Sequence, residues 1–568
     1  MPFRARPDQH LGPLAADAAV HDAVGQMVRQ FADELAFLRE LVQNSLDADA
    51  TAIEVLFDHH PVDGRAVLEV SVRDDGRGMD QPTLERCLLV LFRSSKEGDP
   101  TRIGKFGVGF FSVFAARPDL VTVETGTDAQ APGLRLRLLP DFTWELEHAA
   151  PRRGTSVRVR VPLRDEAPTR LADRCVERLR HWCPHVRVPV TARFHNVPGR
   201  DDDARIDAPH RLDAEVFVRA QHGEAVTLVG LSDAPTRRYL NRGLLLQAEE
   251  GAQEPEHRGL AWLIDAPDLH HTISRDAVVR DAAFAARLRA VPDIAQNALR
   301  DKVIRAWNEL AERCAAARAE RRADAAAGAA LGRLARALLQ RPFALRPKDL
   351  RWPLAEPTDE DRRPVRTRPL AAGLLGGPKF FTAREASALT RAVAQSGGVV
   401  LDAGACGDSD ADAAVNALRQ DLCPDARACD RAFVLLRRVD PVRHHPAARA
   451  LLDALVALVT GAHLGAVMLC EALGSGADRL WYSVRGGHPA VHGEGIADLD
   501  DDSPFAFRRG GVLLLRADHP DAALALEHAR RDPRFAALVL LRLALLHAGA
   551  LDARSDHALL RQHAAVGA

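Results

Sequence analysis

Several things are scarce in this 568-residue chain. Lysine, tyrosine and methionine are rare beside alanine and arginine, a bias that reads as a GC-rich genome rather than as a function. No charge-free apolar run approaches the ~18–20 residues needed to cross a bilayer. The longest candidate, Phe535–Ala550, is interrupted by Arg542 and His547. The opening residues MPFRARPDQHLGPL hold no long apolar core of the secretory kind, so the cytoplasm is the expected compartment and no membrane partner is expected. Eight cysteines are scattered without a CxxC pair. Cys423 and Cys429 are too far apart for the usual close zinc-ligand pairing, and no second pair follows. Buried reduced thiols are the expectation. There is no excess of charge of either sign: the net charge is −2, and nothing global calls for nucleic acid. The GK[ST] ending of a Walker phosphate loop is missing beside the glycine-rich segment.

What is present is an ordinary globular balance, 47% apolar and 27% charged. At about one domain per ~150 residues, three or four domains are expected. Residues 24–48 read as one amphipathic helix, with Val24, Met27, Val28, Phe31, Leu35, Leu38, Val42 and Ser45 at helical spacing. Strand-like runs follow at Ile53–Phe57, Ala66–Val72, Leu120–Glu124, Leu134–Leu138 and Ser156–Val161. Helices mixed with strands suggest an α/β fold, an α+β sandwich with helices packed on a sheet, over residues 1–165. A second α/β unit is expected over 166–330, with strands at Ala214–Val218, Ala225–Leu231 and Gly243–Gln247 and a helical stretch from Ala283 to Ala325. The small-residue run Ala325–Gly332 and the charged, proline-bearing Ala355–Pro369 read as linker material, which places a linker at 331–369. Residues 370–568 read as a mixed, mainly helical C-terminal region.

Three signals carry chemistry. In Glu40-Leu-Val-Gln-Asn44-Ser-Leu-Asp47-Ala48, the three polar residues recur at i, i+4 and i+7 and fall on one helix face. A carboxylate there can orient a water, and an amide oxygen can take a position on Mg²⁺, which prefers hard oxygen ligands. Alone, such a run is also what a solvated helix face looks like. The second signal is the strand Ala66–Val72 running into Asp74-Asp75-Gly76-Arg77-Gly78-Met79. An acid at a strand end can accept from an exocyclic amine, and the glycines permit a tight turn against a flat ring. The third is Arg93-Ser94-Ser95-Lys96 followed by Gly104-Lys105-Phe106-Gly107-Val108-Gly109-Phe110. Its glycines expose backbone N–H groups, and a helix starting near Gly109 would add its positive end, which together make a phosphate cradle.

The three in this order resemble the GHKL (Bergerat) ATP-binding fold shared by gyrase, heat-shock protein 90, histidine kinases and MutL. FLRELVQNSLDA (Phe37–Ala48), DDGRGM (Asp74–Met79) and GKFGVGFFSVF (Gly104–Phe114) read most like the heat-shock protein 90 family, in its bacterial HtpG-like form. The resemblance implies ATP and Mg²⁺ as the ligands, with Glu40 as general base, Asn44 on Mg²⁺ and Asp74 on the adenine amino group. It places Asp47, Ala48, Gly78 and Met79 around the nucleotide. Gly107, Gly109 and Phe110 would hold phosphate oxygens through their N–H groups, within a loop that also includes Gly104, Lys105, Phe106 and Val108. Thr155 would close the adenine pocket from the last strand. Arg93, beside Ser94, falls where the family has a lysine near the lid. Cys87 and Lys105 stand where an asparagine and a glutamine are common.

Phosphoryl transfer to water is mostly positioning and charge stabilisation, and the N-terminal set lacks an obvious cation for the γ-phosphate. Trp262-Leu-Ile-Asp265-Ala-Pro-Asp268-Leu followed by Ile273-Ser274-Arg275-Asp276 resembles the middle domain of the same family. By that resemblance Arg275 is the catalytic arginine, with Val279 where a glutamine is frequent. Tyr239-Leu-Asn241-Arg242-Gly243 also resembles a strand of MutL and gyrase second domains. The expected function is an ATP-hydrolysing chaperone that acts on unfolded or client proteins as a homodimer. The alternative is the same ATPase driving another output, in a DNA-acting or defence-system protein. Asp518-His519-Pro520 and the late histidines read as helix ends rather than metal ligands.

Overall fold

The computed structural model describes residues 33–88, 109–164, 166–251, 254–270, 272, 277–360, 363–370, 379–459, 464–474, 479–499, 511–547 and 551–566. These fall into two compact units, one within 1–230 and 234–299, the other within 231–233 and 300–568.

The first unit opens on a turn in which the Asp33 carboxylate accepts from the Leu35 amide at 3.0 Å. Helix α1, Phe37–Asp47, follows. Phe37, Leu38, Leu41, Val42 and Ser45 share its buried face. The helix expected over 24–48 therefore starts only at Phe37 within the described residues, because Glu34–Ala36 form a turn. Alternating apolar residues make β1 (Ile53–Val62) and β2 (Arg65–Asp74), paired antiparallel across Asp63-Gly64. Next come α2 (Gln81–Leu88), a 3-10 segment (Gly109–Ala116), β3 (Leu120–Asp128), β4 (Gly133–Leu138), β5 (Trp144–Ala149), β6 (Arg152–Pro162), α3 (Pro168–Trp182), β7 (Val190–His195) and β8 (Ala204–Arg205). The sheet order is β5-β4-β3-β6-β2-β1-β7-β8. Helices α1 and α3 pack together, α1 lies on β2, and both feed one core with Phe57, Val70, Phe111 and Leu171. This is the expected α+β sandwich.

Its boundary differs from expectation. The sheet does not end at residue 165, because β7 pairs in parallel with β1 and β8 extends it. Strand β1 would otherwise present a long unpaired edge, and the crossover through α3 brings β7 to pair with Ile53–Asp58 of it.

A second sheet in the same unit has the order β12-β11-β13-β10-β9. Its strands are β9 (Val216–His222), β10 (Ala225–Leu231), β11 (Arg237–Asn241), β12 (Leu244–Glu249) and β13 (Leu260–Asp265). Strand β13 is buried along its whole length and pairs in parallel with β11. Strands β11 and β12 join through Arg242-Gly243, with φ +50° and +83°, the geometry of a type I′ turn. An arginine in that left-handed conformation costs about 1–2 kcal/mol. Helix α4 (Ala282–Ile294) starts where Asp281 accepts from the Phe284 amide at 2.9 Å.

The second unit begins with helices α5 (Arg300–Ala319) and α6 (Ala325–Leu339). The small-residue run expected to be linker is the first half of α6. A Cβ on Gly328 would lie 2.3 Å from the Cys406 carbonyl oxygen, and one on Gly332 2.7 Å from Ala411; small residues here permit close packing. The charged segment also forms structure: β14 (Arg351–Glu360) pairs with β15 (Arg363–Pro369). The prolines that suggested a linker are accommodated because the ladder is irregular between Pro353 and Thr358, and β15 lies at the sheet edge. The order is β15-β14-β17-β16-β18, with β16 Phe380–Ala383, β17 Val399–Asp402 and β18 Arg427–Ala428. Another five-stranded sheet, β21-β23-β20-β19-β22, uses β19 (Phe433–Arg438), β20 (Leu464–Leu473), β21 (Trp481–Arg485), β22 (Glu494–Asp498) and β23 (Gly511–Arg516). Among the described residues the C-terminal region is thus the mixed, mainly helical one expected, with helices outweighing its short strands. Its apolar helices Ala448–Val459 and Pro533–His547 bury Leu451, Leu455, Leu540 and Leu541 in one core. His519 caps the helix Pro520–His528 by accepting from the Asp521 amide at 3.2 Å. No described helix is long and apolar enough to cross a membrane.

Candidate functional site

The site is built at the end of β2. Asp74 is its last residue, and three elements supply donors to its carboxylate. The Ser45 hydroxyl of α1 donates to Oδ2 at 3.0 Å, the Gly76 amide to Oδ1 at 3.0 Å, and the Thr155 amide of β6 to Oδ1 at 3.1 Å. A half-buried carboxylate without donors would cost several kcal/mol, and each charge-assisted bond returns about 1.5–3 kcal/mol. Burial nonetheless dominates and raises the Asp74 carboxyl above its ordinary value, against the opposing pull of Gly76, Ser45 and Thr155. With two donors on Oδ1 and Ser45 on Oδ2, the carboxylate keeps acceptor capacity on Oδ2.

A hydroxyl relay continues from there. Thr155 Oγ1 lies 3.0 Å from Thr125 Oγ1, and Thr125, fully buried on β3, accepts from the Met79 amide at 2.8 Å. One glycine makes this possible. Gly154 has φ +87°, and a Cβ there would sit 2.2 Å from the Asp74 carbonyl oxygen; only glycine lets β6 approach β2 and aim the Thr155 amide inward.

The end of α1 is fastened to the same turn. The Arg77 amide donates to the Ala48 carbonyl at 2.9 Å, its guanidinium donates to Asp49 at 2.8 Å, and it also reaches the Asp47 carbonyl. Cations at a helix C-terminus oppose its dipole favourably. Asp75 faces the other way and accepts from the Thr51 and Ala52 amides at 2.7 and 3.0 Å. Its bonds to Thr51 hold its carboxyl below the ordinary value.

Of the residues singled out from sequence, Glu40, Asn44, Asp47, Ala48, Asp74, Gly78, Met79 and Thr155 come from α1, the Asp74–Met79 turn and β6. The Ser45–Asp74, Arg77–Ala48 and Thr155–Asp74 bonds join those three segments, and Met79–Thr125 ties the turn to β3. Glu40 is 4% exposed, whereas Asn44 and Asp47 are exposed on the same helix. Gly109 and Phe110 begin a 3-10 segment rather than an α-helix, and the Phe110 ring lies in the core. Arg93, Ser94, Gly104, Lys105, Phe106, Gly107, Val108 and Arg275 lie outside the described residues. A cavity of about 260 Å³ lined by Phe37, Val70, Arg117, Pro162 and Cys175 sits towards the other end of β2 and does not include Asp74.

Sequence reading missed Thr125 and took Ser45 as part of the apolar stripe. Ser45 was detectable as a hydroxyl at a buried helix position. Thr125 lies in the middle of the β3 run with no local signal.

Residues 35–138 match the family model described as "Histidine kinase-, DNA gyrase B-, and HSP90-like ATPase". The chain carries a GHKL-type ATPase domain. It is similar to the chaperone protein HtpG of Gluconobacter oxydans, at 27% identity over 30% of this chain and 31% of that protein. The HtpG of Geobacter metallireducens is 30% identical over 27% of this chain and 28% of that protein, and that of Chlorobium luteolum 35% identical over 23% and 24%. The chain thus spans about a quarter to a third of the length of these relatives.

Proposed function

We propose that this chain is an ATP-driven chaperone of the heat-shock protein 90 type, hydrolysing ATP to ADP and phosphate to drive closure on unfolded or client protein. The observation that carries the reading is the Asp74 carboxylate, braced by Ser45, Gly76 and Thr155 with acceptor capacity left on Oδ2. That capacity suits the exocyclic amine of adenine. Gly78, Met79 and Thr155 line the ring, with Asp47 and Ala48 beside it. By the family resemblance, the loop from Gly104 through Lys105, Phe106, Gly107, Val108 and Gly109 to Phe110 would supply N–H groups to the phosphates, with Arg93 and Ser94 in the same nucleotide-binding set.

Glu40 orients a water towards the γ-phosphorus and takes its proton as the bond to the ADP oxygen breaks. A buried carboxylate one turn before an exposed amide suits that division of labour. The Asn44 amide oxygen would hold Mg²⁺, an ion that would neutralise phosphate charge when bound. Arg275 adds a fixed positive charge in a planar fork. The later regions carry the client surface and the homodimer contact.

The test is calorimetry of the purified chain with ATP and Mg²⁺, followed by an ATPase assay with and without an unfolded protein and with and without DNA. Magnesium-dependent uptake with stimulation by unfolded protein is expected. Stimulation by DNA alone would move the assignment to the gyrase-like alternative, and absence of uptake would remove the ATP site itself.

A further inference from the structure

The cavity away from Asp74 has a volume of about 260 Å³. Its floor is apolar: Phe37, Val70, Leu171 and Cys175 line it and are each at most 5% exposed. They come from three elements, α1, β2 and α3. Close-packed interiors leave few voids larger than a water molecule. Water fills an apolar hollow poorly, because each buried molecule needs about two to four polar partners.

The mouth of the cavity is charged. Glu34, Arg117 and Arg164 line it as exposed residues, and Glu166 as a half-buried one. Both acids already have cations. Arg174 Nη1 donates to the two Glu166 oxygens at 3.1 and 2.9 Å, its Nη2 reaches Glu34, and Arg170 Nε lies 3.8 Å from Glu166. Among the described residues, Arg117 and Arg164 make no ion pair and no side-chain hydrogen bond. Glu34 and Glu166 are thus balanced by Arg170 and Arg174, and the guanidinium groups of Arg117 and Arg164 are in surplus. Arg117 also holds a left-handed backbone, φ +51°, where arginine is an uncommon occupant.

Unpaired guanidinium groups above an apolar floor suit a carboxylate carried on an aliphatic tail. The guanidinium is a planar fork that can take both carboxylate oxygens. Each methylene that leaves water adds about fourfold in affinity. A hollow of ~150 Å³ holds benzene and drug-sized ligands take ~300 Å³ or more. This cavity falls between the two, which suits a chain of about six to ten carbons.

We propose that this cavity binds a medium-chain aliphatic carboxylate, with Arg117 and Arg164 on the carboxylate and Phe37, Val70 and Leu171 around the tail. The site shares no residue with the nucleotide set and does not rest on the ATP reading.

The test is calorimetric titration of the full chain with sodium hexanoate, octanoate and decanoate. Octanol and octylammonium serve as the neutral and cationic forms of one tail. Expected is a single octanoate per chain with a Kd below about 1 mM. Affinity should rise about fourfold per methylene from hexanoate to octanoate, and octanol and octylammonium should bind at least about tenfold more weakly. Arg117→Gly, which suits the positive φ, and Arg164→Gln should each weaken octanoate about tenfold. The ligand-free melting temperature should not fall in either variant, which separates lost binding from lost fold. Octylammonium binding as tightly as octanoate would overturn the proposal. So would octanoate affinity unchanged in both variants, or no uptake of octanoate by the wild type at about 1 mM.

Discussion

The Ser45 hydroxyl donates to the Asp74 carboxylate across 3.0 Å and so joins the buried face of a helix to the end of a strand 29 residues later. The same hydroxyl lies 3.0 Å from the Leu41 carbonyl. It has one proton and two acceptors, and this has a consequence at Asp74.

Asp74→Asn should abolish nucleotide binding without costing stability. Burial raises the Asp74 carboxyl above its ordinary 3.8. A raised acid favours folding below 3.8, and that contribution is lost as pH rises through the folded value. At pH 7 the wild type therefore carries a buried charge that asparagine lacks. The amide oxygen can keep the Gly76 and Thr155 donors. The amide nitrogen can donate to Ser45, whose proton turns to Leu41. Melting temperatures are expected to be equal or higher for the variant at neutral pH, with the gap closing towards pH 4. A variant that melts well below the wild type at pH 7 would refute this account.

Thr125→Val keeps shape and removes one hydroxyl. The Met79 amide then loses its acceptor, and Thr155 loses a partner. Leaving a buried donor unpaired costs about 1–3 kcal/mol, read as a lower denaturation midpoint. Nucleotide affinity should fall with it, since the Met79 backbone is no longer held. A midpoint and an affinity both unchanged would show that the relay has no role.

Gly154→Ala meets two obstacles: a φ of +87° and an atom 2.2 Å from the Asp74 carbonyl oxygen. The backbone term alone is about 1–3 kcal/mol, and the overlap must be relieved by parting β6 from β2. Loss of nucleotide binding together with a lower melting point is expected; a variant that binds normally would mean the strands can part without disturbing Asp74.

Glu40→Ala should separate hydrolysis from binding. Removing a general base lowers kcat by about 10²–10⁴, while the adenine contacts at Asp74 are untouched. Phosphate release and calorimetry on one preparation decide it. Hydrolysis at the wild-type rate would withdraw Glu40 from the chemistry.

Buried cysteines should react slowly with thiol reagents in the folded chain. Burial pushes the Cys183 thiol up to about 12 and raises Cys175 as well, so the thiolate is scarce at neutral pH. Rapid labelling of either in the native state would show that this core opens.

The order of segments around Asp74 was legible because each carries a local rule: helical spacing for Phe37–Asp47, alternation for β2, glycines where a turn needs them. The edges of the domains were not. Proline and charge at Ala355–Pro369 mimic a linker, yet an edge strand and an irregular ladder absorb both. The small residues of Ala325–Gly332 look like a break and are a close helix contact. Composition records which residues are small or charged, and only the neighbours decide what that permits.

Sequence by itself determined the carboxylate at a strand end, the helix that faces it and the glycines between, since periodicity and backbone freedom are properties of a residue and its near neighbours. Tertiary structure alone decided that Ser45 and Thr155 hold Asp74, that Thr125 supports Met79, and that Arg242 reaches Asp47 from a second sheet. Those contacts join residues 29 to 195 positions apart. Which distant donor meets a buried acceptor depends on how sheets and helices pack, and no local pattern encodes it.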